Sequence, residues 1–373
     1  GFENLTIVGY SKWKDEGGSA FRILDTPAPT GNANIVFNTD LVASGNKGLL
    51  DAMIARQRAG GRFDIESSQP NGGMSEIWTV TNTTSLELSD TLTLKNIFGF
   101  RKLDTWDAVD YDGTILPILG ATNSARAKTY SEEVQLQGTA FDDRLNYIFG
   151  VYYFDQRGIE GTGTPFMDVR NQLPGTVAFG GTARMQFVRI VNQSFSGFGQ
   201  FGYKLTDQLT FNAGLRYTTD RRKSDSTVGT VSKTIFNNNH PVPATCEYRD
   251  ANGAPLPATY ADCRIAGSAS FSKPSYLIGL DWKPDPDTLV YVAHRSSYRS
   301  GGFQSRPFDN TTATQTFAPE KVKDLEVGLK RDWRLGADLG LRTNIAAYYQ
   351  WYKDIQRSST TLTPVGVGNV VRN

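Results

Sequence analysis

The feature that most constrains this chain is an alternation of apolar and polar residues, sustained over unusually long runs. Between 209 and 217 every odd position is apolar, and the even positions are polar or glycine. The run from 339 to 352 repeats the pattern. Successive side chains of a β-strand point to opposite sides of the sheet. The alternation therefore predicts strands with one apolar and one polar face.

The connections between these runs are of two kinds. Very short polar turns join the members of each pair: 89–90, 141–144, 206–208, 284–287 and 336–338. Asp, Gly and Pro dominate them, as tight hairpins require. Long irregular segments rich in Gly, Asn, Thr, Ser and Pro separate successive pairs: 15–74, 106–127, 158–192, 223–270 and 301–320. The only helix predicted is short, at 48–58.

This spacing predicts about eleven antiparallel strands. An opening strand at 2–14 is followed by five hairpins: 75–88 with 91–105, 128–140 with 144–157, 193–205 with 208–222, 271–283 with 288–300, and 321–334 with 339–355. Such strands exceed the ~5–6 residues usual in soluble sheets. They are long enough to cross a bilayer at a tilt, which takes about 9–11 residues.

Short turns on one side and long loops on the other are the layout of an outer-membrane barrel. Because lipid cannot satisfy an open sheet edge, a spanning sheet must close on itself. The aromatic residues fit two interfacial belts. Tyr203, Trp282 and Trp333 lie beside short turns, and Tyr153, Tyr217, Tyr349 and Trp351 lie near the long-loop ends. A soluble multi-sheet protein is the alternative, which one-sided loops do not favour.

Composition removes several classes of function. Lys and Arg total 39 against 38 for Asp and Glu, so no basic excess points to nucleic acid. Two Cys and two His exclude a Cys-rich metal framework, and we expect neither a metal nor a cofactor. No apolar run approaches the ~18 residues of a transmembrane helix.

Three stretches resemble TonB-dependent receptors, especially those of sphingomonad-type bacteria. The most specific lies in 276–356 and includes SYRSGGF (297–303), PEKVKDLEVGLKRDW (319–333) and AAYYQWYKDIQ (346–356). The second is a hairpin that ends in GLRYTTD (214–220), and the third covers 130–155. Together they touch most of the chain from residue 75 onward.

The resemblance implies a barrel of 22 strands, of which 1–373 supplies about eleven from its centre. The plug domain, its TonB-binding box and the last strands of the family are not recognisable in the sequence. By resemblance, the protein would be an active transporter of the bacterial outer membrane. It would bind a scarce solute, by default a ferric siderophore, in its outer loops and contact the TonB complex through the plug. The alternative is a passive porin-like or adhesin-like barrel without an energised plug.

Candidate binding residues lie where a strand meets an outer loop. Tyr298, Arg299, Gln304 and Arg306 are candidate ligand contacts. A packed junction, with Gly301 and Gly302 needed for backbone freedom, is the alternative. The polar positions of the alternating runs should face the lumen, where they would line water, ligand or plug: Asn212, Arg216, Arg342 and Asn344.

The two cysteines predict a disulfide. Cys246 and Cys263 both lie in the turn-rich segment 223–270, which offers little apolar material to hold it. An outer-membrane protein matures in an oxidising compartment. Because the chain has two cysteines, one intramolecular pairing is available. Two free thiols or a metal pair are the alternatives.

Other motifs carry weak chemical signals. Gly197, Gly199 and Gly202 spell G-x-G-x-x-G, but inside an alternating strand and not between a strand and a helix. Asp107, Asp110 and Asp112 suggest a calcium loop, yet their spacing misses the EF-hand pattern, so a solvated turn is preferred. His240 and His294 have no further ligands nearby. No hydrolase, nucleotide or zincin motif appears, and we expect no enzymatic activity.

Overall fold

The computed structural model describes most of the chain, and the bounds of the elements follow from it. The described residues are 1–15, 47–61, 64–68, 72–110, 113–115, 120–165, 182–232, 245–259, 262–304, 310–336, 338–363 and 366–373. Two helices are Lys47–Ala59 (α1) and Asn310–Thr314 (α2). The strands are Phe2–Asp15 (β1), Gly72–Ser89 (β2), Leu92–Asp110 (β3), Gly120–Ala140 (β4), Leu145–Pro165 (β5), Thr182–Lys204 (β6), Leu209–Ser232 (β7), Thr245–Cys246 (β8), Ile265–Asp285 (β9), Thr288–Arg299 (β10), Gly302–Phe303 (β11), Thr316–Phe317 (β12), Glu320–Arg334 (β13), Gly340–Lys353 (β14), Arg357–Thr363 (β15) and Gly366–Arg372 (β16).

Eleven strands form one antiparallel meander. Its order is β1-β2-β3-β4-β5-β6-β7-β9-β10-β13-β14, with the short β8 paired to β7. The pairs β11–β12 and β15–β16 form two small separate sheets. The predicted antiparallel all-β fold and its strand count are confirmed. Neither described helix is long and apolar enough to cross a membrane.

The register fixes which side chains share a face. Ala213 lies opposite Phe201 of β6 and Ile278 of β9. Directly opposed residues of an antiparallel pair lie on the same side of the sheet. Across the sheet this side also carries Leu215 and Ile345, which are 60% and 66% exposed. Exposure of so much apolar surface suits contact with lipid, and we call it the lipid-facing side.

The opposite side, here called the lumen face, is polar. It carries all four residues expected to face the interior: Asn212, Arg216, Arg342 and Asn344. The alternating runs therefore keep one orientation from β7 to β14. The aromatic residues placed in two belts lie on the lipid-facing side, among them Trp282 opposite Leu209 and Trp333 opposite Leu341.

The strands are much longer than the alternation predicted. β5 and β6 were expected to end at 157 and to begin at 193, yet they stay paired up to Pro165 and Ala183. β7 likewise continues to Ser232 and not to 222. Beyond the membrane both faces of a strand can be polar, because water lies on both sides. The period-two signal therefore fades there while the backbone pairing continues.

Apolar burial is concentrated above the membrane-spanning strands, in the outer connections. One cluster consists of Val228, Cys246, Tyr248, Cys263 and Ala313, packed by Leu256 and Ile265. At another place α1 buries Leu50 and Met53 completely. Outside the spanning strands, the Glu66 carboxylate accepts a hydrogen bond from Arg56 and raises the pKa of that guanidinium. These outer connections are packed structures and not bare loops.

Candidate functional site

The outer end of β10 folds back across the mouth of the sheet. β10 leaves β9 after Ser296. Tyr298 then donates a hydrogen bond to the Asp220 carboxylate at 2.6 Å, and its hydroxyl lies 3.4 Å from the Thr218 carbonyl oxygen. Asp220 belongs to the lumen face of β7 and is 5% exposed. The segment that begins at Tyr298 therefore contacts the lumen face of β7, although Tyr298 itself lies opposite Lys321 of β13.

The contacts continue along this segment, which we call the mouth segment, 298–304. Arg222 donates to the Ser300 hydroxyl at 3.2 Å and pairs with Asp220 at 3.2 Å. A Cβ at Gly301 would lie 2.3 Å from the Phe317 carbonyl oxygen, so no side chain fits there. Neither Gly301 nor Gly302 has a positive φ. The two glycines thus serve close packing and not the backbone freedom expected from the sequence.

Three of the four candidate ligand contacts lie in the described residues. Tyr298 is engaged with β7, as above. Gln304 is 3% exposed. Its side-chain amide binds β16 through two hydrogen bonds of 2.9 Å, donating to the Val371 carbonyl oxygen and accepting from the Val371 N–H. Arg299 is exposed at the end of β10. Arg306 lies outside the described residues.

Three of the lumen-facing candidates have partners within the sheet. Asn212 donates to Asp281 at 3.0 Å, and Arg342 is bidentate on Asp332, at 2.5 and 2.8 Å. Arg216 lies over the rings of Tyr152 and Phe198, at 5.1 and 5.5 Å from their centroids. Asn344 shares this face, two positions from Arg342.

Sequence reasoning missed a denser lumen network beside them. Arg295 of β10 donates to Asp324 at 2.9 Å and to Glu326 at 2.8 Å, both on β13. Tyr291 donates to Glu326 at 2.8 Å, and Lys330 lies 5.8 Å from the Tyr291 ring centroid. A usable signal was present on β13, where Asp324, Glu326, Lys330 and Asp332 fall at alternate positions interrupted by Gly328. The lumen face of β10–β13 is thereby ordered and ionic.

The two cysteines are joined by a disulfide at the outer mouth. The Cys246–Cys263 sulfur separation is 2.04 Å and the Cα atoms are 5.5 Å apart. The few apolar residues of this segment pack into a buried cluster, which its composition did not predict. Tyr248 is fully buried, and its hydroxyl is 2.6 Å from that of Ser226. The bridged loop therefore packs on the outer extension of β7 and is not a free arm.

The described residues that suggested a metal site are held by hydrogen bonds. Asp110 is 1% exposed and accepts hydrogen bonds from Ser67, Ser68 and the Gly113 N–H, so the expectation of a solvated side chain is wrong at Asp110. His294 uses both ring nitrogens, 2.6 Å from the Asp324 carbonyl oxygen and 3.1 Å from the Tyr276 hydroxyl. Within the described part of the chain, no three metal-ligating side chains form a group. Asp112 and His240 lie outside it.

The G-x-G-x-x-G stretch is part of β6, as the alternation indicated. A Cβ at Gly199 would lie 2.8 Å from the Phe149 ring, and one at Gly202 would lie 2.9 Å from the Asn212 amide oxygen. Gly197 has open space around it. The glycines were expected at lumen-facing or crowded positions; Gly197 and Gly199 lie on the lipid-facing side. Gly199 makes room for an aromatic ring there.

Comparison with known proteins agrees with this architecture. The family model "TonB dependent receptor-like, beta-barrel" matches residues 12–373. Among solved structures, the chain is similar to the siderophore receptor PiuA from Acinetobacter baumannii, at 14% identity and a TM-score of 0.59 over 99% of this chain and 50% of that one. The ferric yersiniabactin uptake receptor FyuA from Yersinia pestis is 13% identical, with a TM-score of 0.57 over 77% of this chain and 37% of that one.

A third similar structure is the ferric-catecholate import receptor Fiu from E. coli, with 14% identity and a TM-score of 0.52 over 86% of this chain and 46% of that one. The chain thus spans half or less of the length of these proteins. At such identities the likeness shows the fold, whereas the family match covers nearly the whole chain. The chain belongs to the TonB-dependent receptor family, and its sheet is β-barrel structure of the bacterial outer membrane.

Proposed function

We propose that the protein takes up a scarce solute across the outer membrane by TonB-dependent active transport, with a ferric siderophore as the cargo. The family match carries this proposal, since TonB-dependent receptors are transporters and not enzymes. The similar solved structures are named as a siderophore receptor, a ferric yersiniabactin uptake receptor and a ferric-catecholate import receptor. They support the choice of cargo.

The partners follow from the same proposal. The cargo binds at the outer mouth, the TonB complex acts through a plug domain, and lipid surrounds the sheet. The ordered ionic lumen face of β10–β13 suits contact with a plug. We assign no nucleic acid partner, because the net charge is +1. A passive porin-like barrel is the alternative, and the family match does not favour it.

The described residue best placed to contact cargo is Arg299. It is exposed at the end of β10, and no described residue pairs with it. A guanidinium can bind the carboxylate or catecholate oxygens that ligate iron. Arg306 completes the proposed site. Tyr298 and Gln304 act as positioning residues, since their polar atoms hold the mouth segment.

The experiment is radioactive iron uptake in a strain without the gene, complemented by wild type or variants and supplied with several ferric siderophores. Uptake should require the gene and stop with a protonophore. Arg299→Ala should weaken cargo binding about tenfold, the scale of one lost charge-assisted hydrogen bond. Arg334→Ala, an exposed arginine at the opposite end of the sheet, is the control. Uptake that survives the protonophore would point to the passive barrel.

We further propose that these eleven strands are part of a barrel of 22. In the described sheet β1 and β14 are edges, and unpaired N–H and C=O groups in lipid cost several kcal/mol each. Further strands would pair them. Residues 1–373 expressed alone should therefore aggregate or fail to insert. A protease-resistant, heat-modifiable barrel obtained from this chain alone would contradict the proposal.

A further inference from the structure

A cavity of about 850 Å³ opens where the outer ends of β9, β10, β13 and β14 meet. Its lining contains a cluster of basic and aromatic side chains: Lys273, His294, Lys321, Lys323, Trp351 and Lys353. Glu320 and Asp354 are the carboxylates among its lining residues. Lys273 lies opposite Thr218 on the lumen face, which leaves Lys321, Lys323 and Lys353 on the lipid-facing side. Three lysines against two carboxylates still leave the cavity positive.

The register places the core of this cluster on the lipid-facing side. Lys321 lies directly opposite Lys353, and Lys323 lies opposite Trp351. They share this side with Leu325, which lies opposite Tyr349. Like charges directly opposed on two strands destabilise a sheet. The Lys321–Lys353 pair therefore favours an anion between the two ammonium groups.

The protein does not supply that anion from its described residues. None of Lys321, Lys323 and Lys353 forms an ion pair within the described part of the chain. Glu320 accepts a hydrogen bond from the Gln356 N–H at 2.8 Å. Asp324 is occupied by Arg295 on the lumen face. Toward the described residues, the three ammonium groups are thus free to bind a ligand.

The cluster lies at the height of the outer-leaflet headgroups. Lys323 is about twelve residues from the short turn at 336–338, close to the length of strand that crosses a bilayer. Below it, on the same side, Leu325, Val327 and Tyr349 are 42%, 50% and 63% exposed. Trp351 lies between the two zones, as expected for an indole at the interface.

We propose that this cavity binds the anionic, phosphate-bearing headgroup of an outer-leaflet lipid. The phosphate lies among Lys321, Lys323 and Lys353, and the acyl chains lie on the apolar surface beneath, around Leu325 and Val327. A lipid fits this arrangement better than a free anion does, because the apolar surface continues directly from the basic cluster. The cavity shares Tyr298 with the mouth segment, because this residue lines it beside Lys321. The proposed lipid binding is independent of which cargo is carried.

The test is native mass spectrometry of the detergent-purified receptor with phosphatidylglycerol as the phosphate-bearing probe. Phosphatidylcholine with the same acyl chains is the zwitterionic control lipid, and inorganic phosphate is the free-anion competitor. The variant is K321Q/K323Q/K353Q. The matched control is K95Q/K283Q/K330Q, which removes the same charge from the lumen face. Heat-modifiability checks that both variants fold. If the triple variant does not fold, the single variant K353Q takes its place in the test.

Wild type should retain phosphatidylglycerol over phosphatidylcholine, with affinity that falls as salt rises. Each lysine removed should lower the affinity about fivefold, so that the triple variant loses roughly a hundredfold. The lumen variant should bind as wild type does. Equal binding by wild type and the triple variant, or equal loss in the lumen variant, would overturn the proposal. Displacement of the lipid by millimolar inorganic phosphate would assign the cavity to a free anion and overturn it too.

Discussion

An arginine placed on either side of β7 tests the assignment of faces. Ala213 lies near the middle of the spanning part of β7, between Phe211 and Leu215 on the lipid-facing side. Its cross-strand neighbours are Phe201 and Ile278. Ala213→Arg would direct a guanidinium into hydrocarbon. Asn212→Arg makes a similar change one position away, on the lumen face.

The two substitutions should differ by about 1–4 kcal/mol. An arginine on the lipid-facing side of a barrel near the bilayer midplane costs about 2–4 kcal/mol. On the lumen face, Asn212→Arg removes a hydrogen bond to Asp281, worth about 1 kcal/mol, but the guanidinium can itself pair with that carboxylate. We therefore expect a loss of stability below about 1 kcal/mol for Asn212→Arg.

The measurement is urea-induced unfolding of the intact receptor in phospholipid vesicles, followed by tryptophan fluorescence. A second readout does not depend on folding energetics. A cysteine placed at 213 or at 212 and labelled with an environment-sensitive dye should be quenched by brominated lipid at 213 alone. The native cysteines are bridged and should not react with the label. Equal unfolding losses for the two arginine variants, together with equal quenching, would refute the assignment of faces.

Three further predictions concern the lipid-facing side, the bridged loop and the mouth segment. Glu132 lies on the lipid-facing side and accepts a hydrogen bond from Asn96, so Glu132→Gln should raise the free energy of unfolding in vesicles by about 1 kcal/mol. Glu133→Gln, on the lumen face, is the control and should change it little. The double substitution Cys246→Ser with Cys263→Ser should lower the free energy of unfolding of the outer loop by about 3 kcal/mol. External protease should then cleave the loop faster. Barrel heat-modifiability should stay unchanged, and its loss would show that the bridge holds the barrel. Gly301→Ala should lower cargo affinity without affecting insertion, because a methyl group there meets a carbonyl oxygen. Unchanged cargo binding would show that the mouth segment has no part in the site.

The spanning part of the fold was predictable because lipid on one side and water on the other impose alternation. The run 209–217 identified a strand and its apolar face without any knowledge of its neighbours. The same reasoning failed above the membrane. At 158–165 and 183–190 the strands remain paired in water, so no alternation marks them and the sequence resembles a loop.

The outer mouth was only partly predictable. The disulfide followed from the number of cysteines and the compartment. The packing beneath it did not, because Tyr248 and Leu256 are isolated apolar residues in a polar segment. They become a core only when β7, α2 and the bridged loop meet. The contact of Tyr298 with Asp220, about 80 residues away in sequence, likewise depends on tertiary structure.

The strand register determines which groups lie opposite the charged residues of β13. The alternation in β13 already separates Asp324 and Glu326 from Lys321 and Lys323, but it does not say what faces each set. Pairing with β10 brings Arg295 to the two carboxylates, which are thereby satisfied on the lumen face. Pairing with β14 brings further basic and aromatic groups to the two lysines, which have no ion-pair partner among the described residues. Strand β13 therefore carries carboxylates that are ion-paired on its lumen face. On its lipid-facing side it carries lysines that have no ion-pair partner among the described residues and can bind an anion.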